Sequence, residues 1–344
     1  MRGPSSFRPA LGWEPRSIIK AILIERPGDE SVLTPGEVPD PVPGPSDLLI
    51  EVTCAALNRA DLMQREGHYP PPAGASPILG LECAGRVAAV GAQVSGWCVG
   101  DRAMALLPGG GYAERAVVDH GSAMHVPAAL SDEEAAALPE VFLTAFVNLF
   151  MLAEVKAGES VLIHGGGSGV GTASIQLLGL AGARSIVTAG SDAKCEQCLR
   201  FGADVAINYA AGPFAPKVRA ATNGRGADII LDSIGAAYLA ANLEALANGG
   251  RLILIGLMKG AKAEIDLSVV LRRHLRIFGS TLRSRSAEEK ATIVTAFLKR
   301  FGADLEAGRL RPPVYKTINL ADAAQGHRIM QSSEHFGKIV LRVS

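Results

Sequence analysis

Eight residues, HGGGSGVG from His164 to Gly171, carry the chemistry most easily read from this chain. A strand, a glycine-rich turn and a helix in that order make an anion site, because open backbone N–H groups and the positive helix end point at the same place. Counted back from Gly171, a G-x-G-x-x-G dinucleotide fingerprint starts at Gly166 and asks for glycine at position 168, where Ser168 stands. The competing use is a nucleophile elbow, G-x-S-x-G, which Gly166 to Ser168 begin and Val170 breaks. A serine here can hydrogen-bond a phosphate or ribose oxygen, and it can equally N-cap the following helix. The two roles are compatible.

The next strand end, TAGSDAK, bears on which dinucleotide is bound. Enzymes using NAD place an acid there against the ribose hydroxyls. Here Ala189 and Gly190 are small and neutral, with Ser191 and Lys194 just beyond, which suits a 2'-phosphate better and points to NADPH. Asp192 is the counter-evidence, read as a helix cap.

Metal chemistry finds little support. The five cysteines, Cys54, Cys83, Cys98, Cys195 and Cys198, are too few and too scattered for a disulfide framework. Cys195 and Cys198 form a C-x-x-C on an amphipathic helix, with no second pair to complete a zinc site.

The elements that position the loop are strands and helices in alternation. SVLIHGG, SIVTAGS, VAINYA, ADIILDSIG, GGRLILIGLM and RIFGSTL read as short apolar strands with helices between them, including AYLAANLEALAN. That pattern predicts an α/β fold with a doubly wound parallel Rossmann sheet. Before it lie short strands with Gly/Pro punctuation, IIKAILIE, LLIEVTCAALN, GRVAAVG, DRAMALL and YAERAVV, the marks of a β-rich domain. SDEEAAALPEVFLTAFVNLFMLAEV reads as helical, with Ser131 and Glu134 as a capping box. The tail closes on a strand, KIVLRV, assigned back to the first domain. The expected boundaries are a flexible extension over 1–17, a catalytic domain over 18–143 and 284–344, and the dinucleotide-binding domain over 144–283.

Lys+Arg and Asp+Glu balance at 34 each, which gives no electrostatic reason for a nucleic-acid or membrane-surface partner. The densest basic stretch, LRRHLRIF, reads as an exposed helix face running into a strand. No apolar run of membrane length occurs, the opening lacks a secretory h-region, and a reducing, cytoplasmic setting is expected.

Taken together, ALNRADLMQREGHYPPPAGAS, MALLPGGGYAE, VLIHGGGSGVGTASIQL and HFGKIVL resemble the zinc-free, zeta-crystallin-like quinone oxidoreductases of the medium-chain dehydrogenase/reductase superfamily, over about Ile18 to Arg342. The resemblance implies a Rossmann domain inserted in a GroES-like catalytic domain and NADPH-dependent reduction of a quinone or related electrophile at an interdomain cleft. It also implies a homodimer in which GGRLILIGLM joins its mate. Asn58 and Tyr69 are implied catalytic residues beside the nicotinamide and substrate, although Tyr69 in GHYPPP could instead pack on prolines. Ser168, Gly169 and Val170 would hold the pyrophosphate, and Gly190, Ser191, Lys194 and Tyr209 the 2'-phosphate. Thr144, Ser233, Gly256, Leu257, Met258 and Lys338 would complete the cofactor site. Zinc-dependent relatives place a Cys ligand where Asn58 stands and a His where Leu81 precedes Glu82, so no metal is implied here. An alkenal or enoyl-thioester reductase uses the same scaffold, and a carrier-bound thioester would want a basic surface, of which Arg283 with Arg285 is a modest start. A crystallin-like NADPH-binding protein with little catalysis is the reading from another class.

Overall fold

Strand and helix alternation becomes a six-stranded parallel sheet in this computed structural model, which describes residues 16–343. Its strands are β1 (Ser160–His164), β2 (Arg184–Ala189), β3 (Val205–Asn208), β4 (Ala227–Asp232), β5 (Leu246–Leu254) and β6 (Arg276–Gly279). They run in the order β3-β2-β1-β4-β5-β6, all parallel, the doubly wound arrangement in which strand order reverses beside β1. Leu162, Ile186, Ile230 and Leu252 are fully buried within this sheet. Burial on both faces is why its strands read as apolar runs rather than alternating ones.

Two compact units are formed. One runs to Glu140 and resumes at Arg283, and the other, holding the parallel sheet, spans Val141–Leu282. Of the extension expected over 1–17, residues 1–15 lie outside the described residues, and the Arg16 N–H donates to Asp40 Oδ2 at 2.9 Å.

In the first unit the central strand, Asp47–Ala56, pairs antiparallel with Glu82–Val90, Arg115–Asp119 and Lys338–Arg342. The C-terminal strand KIVLR also pairs, in parallel, with Val314–Asn319. Register brings distant charges together here. Ala55 lies opposite both Cys83 and Leu341, so the beginnings of the two flanking strands, Glu82 and Lys338, meet the end of the central one near Asn58.

Three sequence expectations are corrected. The run 131–155 is not one helix: it is divided into Asp132–Ala136, Pro139–Phe146 and a π-helical turn over Val147–Leu152. Pro139 cannot donate to the preceding turn and is accommodated as a first helical residue. The helix in AYLAANLEALAN ends at Ala245, and β5 begins at Leu246, which is fully buried under the sheet. Finally, GGRLILIGLM cannot be the strand that meets a second copy, because β5 is flanked by β4 and β6; the free edge on that side is Arg276–Gly279.

The basic stretch is divided by burial. Arg272 and Arg276 are exposed, while the Arg273 guanidinium turns inward to the carbonyls of Leu243 and Leu246.

The capping box is present, with Ser131 Oγ accepting the Glu134 N–H at 3.2 Å and Glu134 accepting the Ser131 N–H at 2.9 Å. Replacing Ser131 by Ala removes one partner and should lower unfolding free energy by about 1 kcal/mol; chemical denaturation measures it, and no change would mean that water caps this helix equally well.

Candidate functional site

The glycine loop is shaped by space at two positions and by handedness at a third. Gly165 turns the chain at φ +77° after β1, and the N–H groups of Gly165 and Gly166 both donate to Thr188 O on β2. A Cβ on Gly166 would lie 2.6 Å from the Val187 Cβ, and one on Gly171 only 2.3 Å from the Gly165 carbonyl oxygen. Position 168 has no such demand. Ser168 is extended, at φ −76° and ψ 166°, and its Oγ accepts the Gly171 N–H at 3.0 Å, capping α1 (Gly169–Leu180). The N–H groups of Gly169 and Val170, first in α1, have no acceptor within the helix. With the helix dipole behind them they suit an anion such as a pyrophosphate.

A second group gathers where β2 ends. A Cβ at Gly190 would come within 2.7 Å of the Tyr209 hydroxyl, and Ser191 Oγ accepts the Lys194 N–H at 3.3 Å. Asp192 is tied to Asn208 Nδ2 at 2.8 Å, which agrees with a structural use of that acid. A third group forms after β4 and β5, where the Met258 N–H donates to Ser233 O at 3.2 Å. Gly256 lies close enough that an added Cβ would be 3.0 Å from the same oxygen, while Leu257 and Met258 are half-exposed. Thr144 lies on the helix Pro139–Phe146, its carbonyl taking the Asn148 amide, and no described hydrogen bond ties it to these groups.

Sequence reasoning gives His164 no role. Its Nε2 donates to Asn242 Oδ1 at 2.7 Å, and its Nδ1 lies 3.0 Å from the Thr188 hydroxyl; Asn242 Nδ2 then donates to Asp232 at 3.0 Å. That tautomer is the one that lets every partner in the row be satisfied. Burial pushes the imidazole down to about 4, so it is neutral. The row links the strand ends that carry the loop and Ser233.

In the first unit Asn58 and Lys338, expected in different roles, belong to one buried cluster. Lys338 Nζ donates to Leu57 O (2.6 Å) and Asn58 Oδ1 (2.7 Å), is ion-paired to Glu82 Oε1 at 2.7 Å, and is 2% exposed. The ammonium is therefore enclosed by three protein oxygens. Asn58 Nδ2 donates to Glu82 Oε1 at 2.9 Å, which fixes the amide orientation, and the Asn58 N–H donates to Asp61 Oδ2 at 2.7 Å. Burial pushes Asp61 up to about 6, although the N–H groups of Asn58 and Gly80 pull the other way. The second Glu82 oxygen accepts the Glu140 N–H at 2.8 Å.

Tyr69 is not simply packed on prolines. The Arg283 guanidinium lies 5.3 Å from its ring centroid and donates to its carbonyl at 3.3 Å, to Pro108 O at 2.7 Å and to Gln64 Oε1 at 2.7 Å. Burial, with Glu140 adding to it, raises the phenol, so Tyr69 keeps its proton and can donate. Arg283 is 3% exposed and is thus a clamp, not part of a basic surface for a carrier.

Known proteins share this fold. An alcohol dehydrogenase GroES-like domain model matches residues 44–128, and a zinc-binding dehydrogenase model matches 169–300. A crystal structure of an NAD-dependent alcohol dehydrogenase is 34% identical, with TM-score 0.83, covering 94% of this chain and all of that one. A quinone oxidoreductase of Pseudomonas syringae pv. Tomato DC3000 superposes with TM-score 0.84 at 26% identity, over 94% of this chain and 100% of that one. A mycocerosic acid synthase-like polyketide synthase of Mycobacterium tuberculosis is 34% identical over 325 residues, 94% of this chain. The chain spans only 15% of that synthase.

The word zinc in the matched model's description finds no donor set here. Asn58 and Glu82 already hold an ammonium between them. The nearby Cys54 thiol is pushed up to about 12 and Cys83 higher still, both chiefly by burial. Among the described residues no group of three or more His, Cys, Asp or Glu is placed to hold a metal ion.

Replacing Lys338 by Met leaves the Glu82 carboxylate buried without its cation. The variant should lose about 3–5 kcal/mol of unfolding free energy, and adding Glu82→Gln should recover most of it. A single variant as stable as the parent by urea denaturation would show that the pair is dispensable.

Proposed function

The chain is an oxidoreductase of the medium-chain dehydrogenase/reductase superfamily, and from that membership we propose that it is an NADPH-dependent, zinc-independent quinone oxidoreductase of the zeta-crystallin-like branch. Within that branch the serine at position 168 favours the tumour-suppressor-inducible subtype. The bound cofactor supplies a hydride from its reduced nicotinamide ring.

The observation that carries this reading is the Lys338 ammonium lodged between Asn58 and Glu82. Alcohol oxidation needs a cation with an open position to stabilise an alkoxide, and this ammonium is already enclosed by Leu57 O, Asn58 Oδ1 and Glu82 Oε1. An acceptor that is already electron-poor needs no such help. In this reading the protein's work is positioning. Tyr69, a protonated phenol clamped by Arg283, orients the acceptor's carbonyl oxygen. Asn58, whose amide is spent on Glu82 and Lys338, sets the frame behind it rather than touching the acceptor.

For the cofactor, the first residues of α1 hold the pyrophosphate and Ser168 caps the same turn. Gly190, Ser191, Lys194 and Tyr209 surround a 2'-phosphate, with Asp192 engaged elsewhere. Thr144, Ser233 and Gly256 to Met258 line the nicotinamide end. A homodimer, if it extends the parallel sheet, uses the Arg276–Gly279 edge. No helix among the described residues is long and apolar enough to cross a membrane, and we place the protein in the cytoplasm.

A second reading has its own observation. The similarity to mycobacterial polyketide synthases over 94% of the chain favours a reducer of enoyl thioesters or alkenals, which accept hydride on the same principle.

Oxidation of NADPH and NADH followed against a panel of ortho- and para-quinones, alkenals and an enoyl thioester separates these readings. Fast turnover of quinones with NADPH is expected; turnover confined to the thioester would overturn the quinone assignment, and tight NADPH binding without turnover would favour a cofactor-binding protein. Lys194→Ala should weaken NADPH binding by roughly tenfold, a charge-assisted hydrogen bond of about 1.5 kcal/mol, and leave NADH affinity unchanged. Equal affinity of parent and variant for NADPH would remove Lys194 from the 2'-phosphate.

A further inference from the structure

Among the groups near Tyr69, Glu140 stands out because one of its carboxyl oxygens is buried and unsatisfied. It lies in the first turn of the helix Pro139–Phe146. Its backbone N–H is given to Glu82, and its Oε2 is the buried oxygen with no hydrogen-bond partner. A buried polar atom left open is costly and calls for an explanation such as a group that arrives from outside.

The surroundings decide its protonation. Glu82, on the strand Glu82–Val90, is ion-paired to Lys338 at the start of the C-terminal strand. A second carboxylate beside it, out of water, is disfavoured by like charge and by desolvation together. Asp61, on the helix Arg59–Arg65, adds to the repulsion. Lys338 and Lys290, the latter on the helix Ala287–Glu306, oppose it. Lys290 is itself buried and spends one hydrogen bond on Arg283 O at 2.9 Å. Burial prevails, and Glu140 is pushed up to about 8. The N-terminal end of its own helix favours the charged form, but within this pocket that influence is outweighed.

We propose that Glu140 is the proton donor to the reduced acceptor, with Tyr69 beside it holding the acceptor's oxygen. The inference rests on the hydride-transfer reading above and completes its atom balance. Were a quinone to receive a hydride at one carbonyl oxygen, its ring would become aromatic and the π pair of the second C=O would be left on that second oxygen as a phenolate. That oxygen takes the Glu140 proton, the O–H bond of the carboxyl breaks, and the Glu140 carboxylate is reprotonated from solvent before the next turnover.

Glu140→Gln keeps the shape and removes the transferable proton; Glu140→Asp restores a carboxyl. Infrared titration of the free protein should show a protonated-carboxyl band that disappears near pH 8 in the parent, is present in Glu140→Asp and is absent in Glu140→Gln. With saturating acceptor, kcat of the parent should fall above about pH 8, while Glu140→Gln should be slower by roughly 10²-fold, the lower range for general acid catalysis, and flat across that limb. NADPH affinity should be the same in all three.

Stability gives a further readout. With a folded value above the unfolded one, Glu140 makes the parent lose stability as pH rises from the ordinary carboxylate range through about 8. Melting temperatures of parent and Glu140→Gln should therefore diverge over that interval, the variant becoming the more stable. A band titrating at an ordinary carboxylate pH, or Glu140→Gln turning over like the parent, overturns the proposal. If no acceptor oxidises NADPH at all, the hydride-transfer reading fails while the infrared titration still reports on Glu140 alone.

Discussion

The buried pair of Glu82 and Lys338 is the interaction on which the first unit's site depends. Each is the opening residue of a strand that flanks Asp47–Ala56, and both are almost wholly withdrawn from solvent. Removing two charges from water is expensive, and their mutual attraction offsets that only when the remaining hydrogen-bonding capacity is also used. Here it is used: Leu57 O and Asn58 Oδ1 complete the ammonium, while Asn58 Nδ2 and the Glu140 N–H complete the carboxylate. One pair thereby sets the Asn58 amide, the entry of the helix Arg59–Arg65 and the start of Pro139–Phe146. A one-residue slip of either flanking strand would move its charge to the other face of the sheet.

The second unit solves a different electrostatic problem with no charge in its loop. Backbone N–H groups and a helix end offer an anion its partners, and the row from Thr188 through His164 and Asn242 to Asp232 braces the strand ends below. Because burial keeps the imidazole neutral, this bracing does not change sign over the physiological range. The first unit works the other way, with carboxylates and ammonium groups packed against one another.

How much of the fold and site is legible in the sequence depends on locality. The loop, the six parallel strands and the Ser131–Glu134 box are written in consecutive residues, and each is readable from spacing alone. The serine at 168 looks like a defect, yet its extended conformation carries no demand for glycine, whereas Gly166 and Gly171 are where close contacts forbid a side chain. What is not legible is non-local. Lys338 lies 281 positions from Leu57, and no periodicity announces that its ammonium is spent on Leu57 and Asn58. Arg283 reads as surface charge for the same reason: its clamp on Tyr69 comes from a fold that brings distant segments together. Pro139 is visible but merges into a longer helical run, and nothing in the spacing marks Glu140 beside it.

The same cluster constrains which acceptors the scaffold can serve. A metal with an open position polarises a carbonyl directly, while an ammonium enclosed by protein oxygens contributes only a distant positive charge, weakened with distance and dielectric. An acceptor must therefore bring its own electron deficiency, as quinones and conjugated enoyl thioesters both do. They differ in where the proton lands: on oxygen for a quinone, and in the end on carbon for an enoyl group. In the proposed reading, a phenol clamped by a guanidinium and a carboxyl kept neutral chiefly by burial both serve protonation at an oxygen. The proposed quinone reading rests on these oxygen acids, whereas sequence similarity weighs on the other side, at 34% identity to the polyketide synthase against 26% to the quinone oxidoreductase.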